Sequence, residues 1–357
     1  MVRQEARLYK PQIHLAQPTA ARMWLVSLCA FSAIFQSSLK DSFASLILAV
    51  TAVVTAVLTE SLIYFRTERS GTIKDGSAVT SALILVLLLP NQLHPIYAAM
   101  GAAFAMTVVK HSFGGLGANW MNPAAGGWLF IRFSWPEVFN KALEKSPLTL
   151  IYEGMGNGLS DPEGSPLGIF KLMGIEYGSS PDTFLGLFLQ NGFFSLTQLE
   201  FPRTYIELFN TSAPGIIADR GVFALLVGTI IITASKVNRA WIPAAYVGVY
   251  VFLVRLFGAI PFGGVFGKGD LFFGLFSGGV LAGAFLLASD PATGPKSNKG
   301  VLGVSVLGGG LTFLFRYQGA EVYGAVFVMA LVNTVVPLIR DVESRHLYSN
   351  KKWRQVA

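Results

Sequence analysis

Residues 96–133 read IYAAMGAAFAMTVVKHSFGGLGANWMNPAAGGWLFIRF. Two apolar runs, 96–110 and a shorter 123–133, enclose a segment with three glycines and two asparagines that has neither helical nor strand periodicity. Inside a membrane, non-helical backbone is tolerated only where protein or a cavity buries it. The stretch therefore predicts a membrane protein with interrupted spans and a binding site beside the interruption.

The composition supports a membrane protein. The 357 residues are 52% hydrophobic and only 13% charged, whereas soluble domains average about 25% charged residues. The net charge of +7 comes from residues between apolar runs, without the clustering of a nucleic-acid surface, so we expect no nucleic acid as a partner.

Cysteine and histidine usage limits the redox cofactors that this chain could hold. Cys29 is a single cysteine within an apolar run, so it can form neither an intramolecular disulfide nor a cluster-binding set. The four histidines lie in loops or at span ends, which argues against a transmembrane haem. Any cofactor should therefore be organic. About twenty polar residues precede the first apolar run, and this is not the pattern of a cleaved signal peptide.

Ten membrane spans are predicted from the apolar runs. Two of them, 79–90 and 123–133, are short. The other eight are 23–39, 43–65, 96–110, 221–235, 240–257, 271–289, 301–315 and 322–339.

The distribution of basic residues orients these spans. With ten spans and a cytoplasmic N-terminus, the inside segments carry 17 lysines and arginines and the short outside loops carry 3. This bias predicts a multi-pass membrane protein with both termini cytoplasmic. The 17 are Arg3, Arg7, Lys10, Arg22, Arg66, Arg69, Lys74, Lys110, Lys236, Arg239, Lys296, Lys299, Arg340, Arg345, Lys351, Lys352 and Arg354, and the 3 are Lys40, Lys268 and Arg316.

The predicted fold is all-α, with two five-span halves that insert in opposite orientations, as in inverted-topology repeats. No residue-level repeat is visible, so the symmetry rests on the topology. The predicted parts are a cytoplasmic segment 1–22, a first half 23–133, an external (periplasmic) region 134–220, a second half 221–340 and a cytoplasmic tail 341–357.

The glycines and asparagines after the fourth span are candidate binding residues. Gly114, Gly115 and Gly117 permit positive φ and close approach of a ligand to the backbone. Asn119 and Asn122 are three residues apart, and their amides offer donors and acceptors to the edge of a heterocycle. A tight turn with asparagine capping is an equal alternative.

Three further features admit both a functional and a structural interpretation. Residues 289–300, SDPATGPKSNKG, could line a cavity, although helix capping is the simpler role. Glu60 and Arg255 are charges within or near span ends, so they are functional candidates that could instead snorkel. The triplet Gly308–Gly310 favours close helix packing.

A known family carries these motifs. The run KHSFGGLGANWMNPA at 110–124 closely resembles the signature of the D subunit of the Rnf electron-transport complex and of the homologous B subunit of sodium-translocating NADH:quinone reductase. The segments that begin at Asp75 (DGSA) and Asp290 (DPAT, then NKG at 298–300) are similar to two further family motifs. The resemblance covers nearly the whole chain, and the absence of a long N-terminal extension favours the Rnf type.

The resemblance implies two flavins. Riboflavin would bind noncovalently at the glycine and asparagine segment. FMN would be joined through its phosphate to a threonine in the external region, where the family pattern resembles D-x-x-[ST]-[GA]-A-[TS]. The corresponding residues here are 177–183, YGSSPDT: Ser180 and Thr183 match, but the leading Asp, the Gly/Ala and the Ala do not. Thr183 is therefore the expected attachment residue.

The resemblance also implies a function. The chain is expected to relay electrons between flavins in a complex that couples transfer between NADH and ferredoxin to Na⁺ or H⁺ movement. The partners would be the A and E membrane subunits, the G flavin subunit, the B and C peripheral subunits, and membrane lipid. Two alternatives stay open: a channel or secondary transporter of similar topology, and a family member without covalent FMN.

Overall fold

The computed structural model describes residues 19–67, 75–161, 165–173, 208–209, 211–290, 293–295, 297–318 and 323–349. These residues form an all-α polytopic membrane protein, and the described part contains no strand beyond an isolated bridge between Pro90 and Ile216. Five helical segments are long and apolar enough to cross a membrane without interruption: Thr19–Ser38, Ala44–Thr67, Trp241–Phe262, Asn298–Tyr317 and Gly324–Arg345.

Each of the ten predicted spans is helical over most of its length. In chain order the α-helices are α1 Thr19–Ser38, α2 Ala44–Thr67, α3 Ser77–Leu87, α4 Pro95–Phe104, α5 Pro123–Ser134, α6 Pro136–Leu143, α7 Pro147–Gly156, α8 Pro166–Leu172, α9 Ile217–Arg220, α10 Val222–Ala234, α11 Trp241–Phe257, α12 Leu271–Phe276, α13 Val280–Ala282, α14 Asn298–Tyr317 and α15 Gly324–Ser349. A π-helical turn, Ala105–His111, continues α4, and a second one, Gly283–Leu287, continues α13.

The eighth span was wrongly predicted to be continuous over 271–289. It breaks at Gly278 and Gly279, whose φ angles are 67° and 68°. The break is held from outside the span, because the carboxylate of Asp219 on α9 accepts hydrogen bonds from both glycine N–H groups, at 2.8 and 2.9 Å. The buried Arg316 guanidinium on α14 holds the residues that precede the break. It donates to the Gly274 carbonyl oxygen and to Ser277 Oγ.

The tenth span was predicted over residues 322–339. The helix that contains it, α15, extends beyond this span to Ser349. Its polar extension is tied to the segment before α14. Arg340 Nη2 donates to the Gly294 carbonyl oxygen at 2.6 Å, and the Glu343 carboxylate accepts from the Ser297 hydroxyl at 2.5 Å. An exposed pair between Asp341 and Arg345, one helical turn apart, adds local support.

The helix contacts repeat between the two halves. In the first half, the first span contacts the third, the second contacts the third and fourth, and the fourth contacts the fifth. The same pairs recur among the sixth to tenth spans. Between halves, α1 packs against α10 and α5 against α15, so spans at equivalent positions meet. Two five-span halves related by an approximate two-fold axis produce this pattern.

Part of the predicted external region is helical, and the part that contains Ser146 and Tyr152 contacts the second half. The helices of the region include α6, α7, α8 and α9. The Tyr152 hydroxyl on α7 donates to the Arg316 carbonyl oxygen at 2.5 Å, and the Tyr323 hydroxyl donates to Ser146 Oγ at 3.2 Å. These contacts anchor the start of the region to the end of α14 and the start of α15.

Close helix packing was predicted for the glycine triplet of α14. Two of the three glycines, Gly308 and Gly309, pack against α11. A Cβ on Gly309 would collide with the Tyr246 carbonyl oxygen, and a Cβ on Gly308 would lie 2.9 Å from the Tyr246 ring. Gly310 faces open space, with nothing within 4 Å of a Cβ built there. Gly309 therefore sets how closely the two backbones approach.

We expect Gly309→Ala to lower the thermal stability of the protein in detergent, because the new methyl group meets backbone that cannot move without separating α11 from α14. The expected loss is about 1–3 kcal/mol. Gly310→Ala is the matched control, and it should leave the melting temperature unchanged or raise it, since alanine is the better helix former by about 1 kcal/mol. Equal melting temperatures for the two variants would contradict this packing account.

Candidate functional site

A cavity of about 190 Å³ lies where the two halves meet, beside both π-helical turns. Its walls come from α1, α3, the first π-helical turn and the following loop in the first half. The second half contributes the segment after α10 and the end of the eighth span. The polar lining residues are Thr19, Arg22, Ser77, Thr80, Ser81, Lys110, Asn119, Asn122, Asn238, Ser289 and Asp290.

The three candidate glycines form the turn that leads into the cavity wall. Gly114, Gly115 and Gly117 all have positive φ, at 115°, 97° and 90°. The Gly115 N–H donates to the Lys110 carbonyl oxygen at 3.1 Å, which closes the turn. None of the three is among the cavity-lining residues, whereas Leu116 between them is. The glycines thus shape the loop backbone that carries the asparagines to the cavity.

Asn122 performs the capping role and lines the cavity as well. Its Oδ1 accepts from the backbone N–H of Ala124 at 3.0 Å, at the start of α5. Its Nδ2 donates to Asp290 Oδ2 in the other half, 168 residues away, at 2.9 Å. The two motifs singled out in the sequence, one in each half, are therefore joined directly by a hydrogen bond.

Asn119 differs from Asn122 because its side chain is not satisfied. The residue is 4% exposed and lines the cavity, and its Oδ1 has no hydrogen-bond partner within the described structure. Leaving a buried acceptor unpaired costs about 1–3 kcal/mol. An N–H or O–H donor in the cavity would remove this penalty, so Asn119 offers an unpaired acceptor to whatever occupies the cavity.

A buried ion pair adjoins the same cavity. Lys110, in the first π-helical turn, donates from Nζ to Glu60 Oε1 at 2.5 Å, and both residues are 1% exposed. Lys110 Nζ also donates to Ser77 Oγ at 2.7 Å. Glu60 therefore does not snorkel to the surface. Arg255 is exposed and donates to the Gly269 carbonyl oxygen at 3.4 Å, which agrees with the snorkelling interpretation.

Two of the remaining predicted residues lie outside the described part of the chain. These are Ser180 and Thr183, the expected FMN segment. Asp75 is described, and its Oδ1 accepts from the Ser77 N–H at 2.7 Å. It thereby holds the start of α3, from which Ser77 reaches Lys110, and acts on the cavity through that contact.

The family comparison agrees with the motifs. A family model described as the NQR2, RnfD, RnfE family matches residues 8–349. The chain belongs to this family. The family expectation drawn from KHSFGGLGANWMNPA is therefore confirmed.

Relatives of this family share the full length of the chain. It is 29% identical over 331 residues to the D subunit of the proton-translocating ferredoxin:NAD(+) oxidoreductase complex of Clostridium ljungdahlii, covering 92% of this chain and 91% of the relative. It is 27% identical over 350 residues to the D subunit of the Na(+)-translocating ferredoxin:NAD(+) oxidoreductase complex of Acetobacterium woodii, covering 97% and 96%. The D subunit of the ion-translocating oxidoreductase complex of Aliivibrio salmonicida is 26% identical over 369 residues, covering 96% and 97%.

Sequence reasoning missed several cavity residues of this family member. Ser77, Arg22 and Asn238 line the cavity without having been candidates. Asn238 also donates to the Phe285 carbonyl oxygen in the second π-helical turn at 2.9 Å. The sequence did contain a signal for the ion pair. Glu60 and Lys110 are opposite charges within apolar runs, and pairing with each other avoids leaving either charge buried alone.

The hydrogen bond between Asn122 and Asp290 predicts the outcome of exchanging the two side chains. Asn122→Asp should destabilise the protein, because two carboxylates would then face each other across 2.9 Å. Adding Asp290→Asn should restore most of the lost stability, since the new carboxylate can cap α5 while it accepts from the new amide. Thermal unfolding of the two single variants and the double variant measures this coupling. A double variant no more stable than the sum of the single effects predicts would contradict the contact.

Proposed function

We propose that this protein holds riboflavin in the cavity between its halves and relays electrons within an Rnf-type ion-translocating oxidoreductase complex. The observation that carries the proposal is the buried Oδ1 of Asn119, an acceptor without a donor in a cavity between interrupted spans. Family membership supports the class of complex. The curated relatives are named for different coupling ions, so the proposal covers ion translocation and leaves the choice between Na⁺ and H⁺ open.

The polar groups around the cavity suit the edge of a flavin ring, which presents an imide N–H between two carbonyl oxygens. Asn119 Oδ1 would accept from that N–H. Asn122 keeps one Nδ2 hydrogen beyond its bond to Asp290 and would donate to a carbonyl oxygen. The apolar lining residues, which include Ile84, Leu116 and Phe285, would cover the ring faces and exclude water.

When bound, riboflavin would supply the one- and two-electron chemistry that no side chain of this protein provides. The protein's own contribution would be to position the ring and to set the charge around it. Lys110 and Arg22 bring positive charge to the cavity wall, and Asp290 brings negative charge. The Glu60 carboxylate balances Lys110 within hydrogen-bond distance.

We also propose that Thr183 carries FMN on the external side of the inner membrane, with both termini in the cytoplasm. The proposal rests on the family resemblance of residues 177–183 and on the charge distribution that assigns this region to the outside. The A, B, C, E and G subunits would supply the other redox centres and the path to NADH and ferredoxin. A solute transporter with inverted halves would place a cavity similarly, but it would lack flavin absorbance.

Asn119→Leu is expected to lower the noncovalent riboflavin content of the purified protein. Loss of one buried hydrogen bond weakens binding by about 1–3 kcal/mol, which corresponds to roughly 5- to 150-fold in affinity. Extraction and fluorescence of riboflavin per chain measures this. Asn333→Leu is the matched control, because Asn333 is similarly buried on α15 and does not line the cavity. Undiminished riboflavin in folded Asn119→Leu would refute the binding site.

Intact mass spectrometry tests the FMN proposal separately. After co-expression with a flavin transferase, the wild-type chain should gain the mass of one FMN less one water, because Thr183 Oγ becomes an ester oxygen on the flavin phosphate. Thr183→Ala should abolish the gain, whereas Ser179→Ala, at an unconstrained position of the family pattern, should keep it. A wild-type chain of unmodified mass would leave riboflavin as the flavin of this protein and exclude the threonine ester.

A further inference from the structure

Three titratable side chains form a continuous row from the rim of the bundle to the cavity. His111 is 10% exposed, and its Nε2 lies 3.3 Å from Glu60 Oε1. The same oxygen accepts from Lys110 Nζ at 2.5 Å, and Lys110 lines the cavity. The two distances that join neighbouring side chains in the row are within or close to the hydrogen-bond range. The two inner residues, Glu60 and Lys110, are shielded from water.

This row is not arranged as a purely structural ion pair would be. A buried ion pair contributes to stability only when its remaining lone pairs and protons are satisfied. Here both Lys110 and His111 lie on Oε1, while the second oxygen of Glu60, Oε2, is buried with no hydrogen-bond partner in the described structure. That oxygen is available to hold a proton in transit.

Two residues of the row, Lys110 and His111, are neighbours in the first π-helical turn. It places the consecutive residues Lys110 and His111 so that both face Glu60 on α2, although neighbouring residues of a regular helix diverge by about 100°. π-Helical turns often occur at functional sites. The turn thus brings one surface-facing and one cavity-facing proton carrier to a single carboxylate.

We propose that His111, Glu60 and Lys110 form a proton path from the proposed cytoplasmic rim to the ligand in the cavity. This inference rests on the proposed riboflavin site. Lys110 would supply a proton to the bound ligand, Glu60 would first accept a proton from His111 and then pass it to Lys110, and His111 would take its replacement from solvent. The electrons come from the redox partner of the flavin, and all three residues return to their starting protonation.

Other ionisable groups near the row have separate positions. Tyr64 approaches Glu60 Oε1 from α2 itself, with its hydroxyl at 3.4 Å, and its ring meets His111 edge-on at 5.3 Å. The Tyr64 hydroxyl donates to Glu60 Oε1, and Tyr64 does not line the cavity. Asp75 holds the Ser77 N–H, and Arg22 and Asp290 line other parts of the cavity wall.

The test follows the spectrum of the flavin after flash photoreduction of the purified complex, since the protonated and unprotonated reduced rings absorb differently. Riboflavin content is measured first on every sample. We expect Glu60→Gln to retain riboflavin and to slow the proton-dependent spectral change by at least about 10-fold. His111→Ala should slow it similarly, and added imidazole should restore the rate. Tyr64→Phe is the control and should leave it unchanged.

Each outcome decides a separate point. Full riboflavin with an unchanged rate in Glu60→Gln overturns the proton path and leaves the binding site intact. If Glu60→Gln loses riboflavin, His111→Ala decides, because His111 does not line the cavity. If the spectral change is slow in His111→Ala and imidazole does not restore its rate, the path is overturned. A soluble base can replace a side chain that carries protons, but it cannot replace one that has only a structural role. A wild-type complex without riboflavin in this chain overturns the proposed function itself.

Discussion

A helix that begins within a membrane exposes backbone N–H groups that lipid cannot satisfy, and this chain meets that constraint with side-chain oxygens. Asn122 Oδ1 caps α5, and the Asp219 carboxylate caps the break before α13. Both residues also connect separate parts of the protein. Asn122 bonds to Asp290 in the other half, and Asp219 belongs to α9, which packs against α1. The interruptions are therefore the points at which the two halves are fastened together.

Hydropathy was sufficient to predict the all-α polytopic fold and the helices within the ten apolar runs, because it records which segments avoid water. It could not show that the eighth span is broken, since Phe276, Gly278 and Val280 are as compatible with a continuous span as with two short helices. The break depends on backbone conformation and on Asp219, which lies 59 residues from Gly278 in sequence. The contact that determines the local structure is thus outside any sequence window around it.

The candidate site was predictable as a region but not in its division of roles. The sequence grouped Asn119 and Asn122 as equivalent amides, whereas the fold gives Asn122 to capping and to Asp290 and leaves Asn119 Oδ1 unpaired. The glycines were expected to admit a ligand, but they form a turn behind the wall that Leu116 lines. Pairing of Glu60 with Lys110 joins residues 50 apart in sequence, and Lys110 lies in a π-helical turn, which residue composition does not predict.

The two helix breaks of this protein provide an internal comparison that bears on function. At the break before α13, Asp219 satisfies both glycine N–H groups, and the adjoining cavity is only about 20 Å³. At the start of α5, the cap is equally complete, yet a cavity of about 190 Å³ remains and Asn119 presents an unpaired acceptor to it. The sequence therefore can close a helix break around its own side chains. It does so at one break and not at the other, and the cavity left open there is the space that the proposed riboflavin would occupy, with Asn119 Oδ1 as its acceptor.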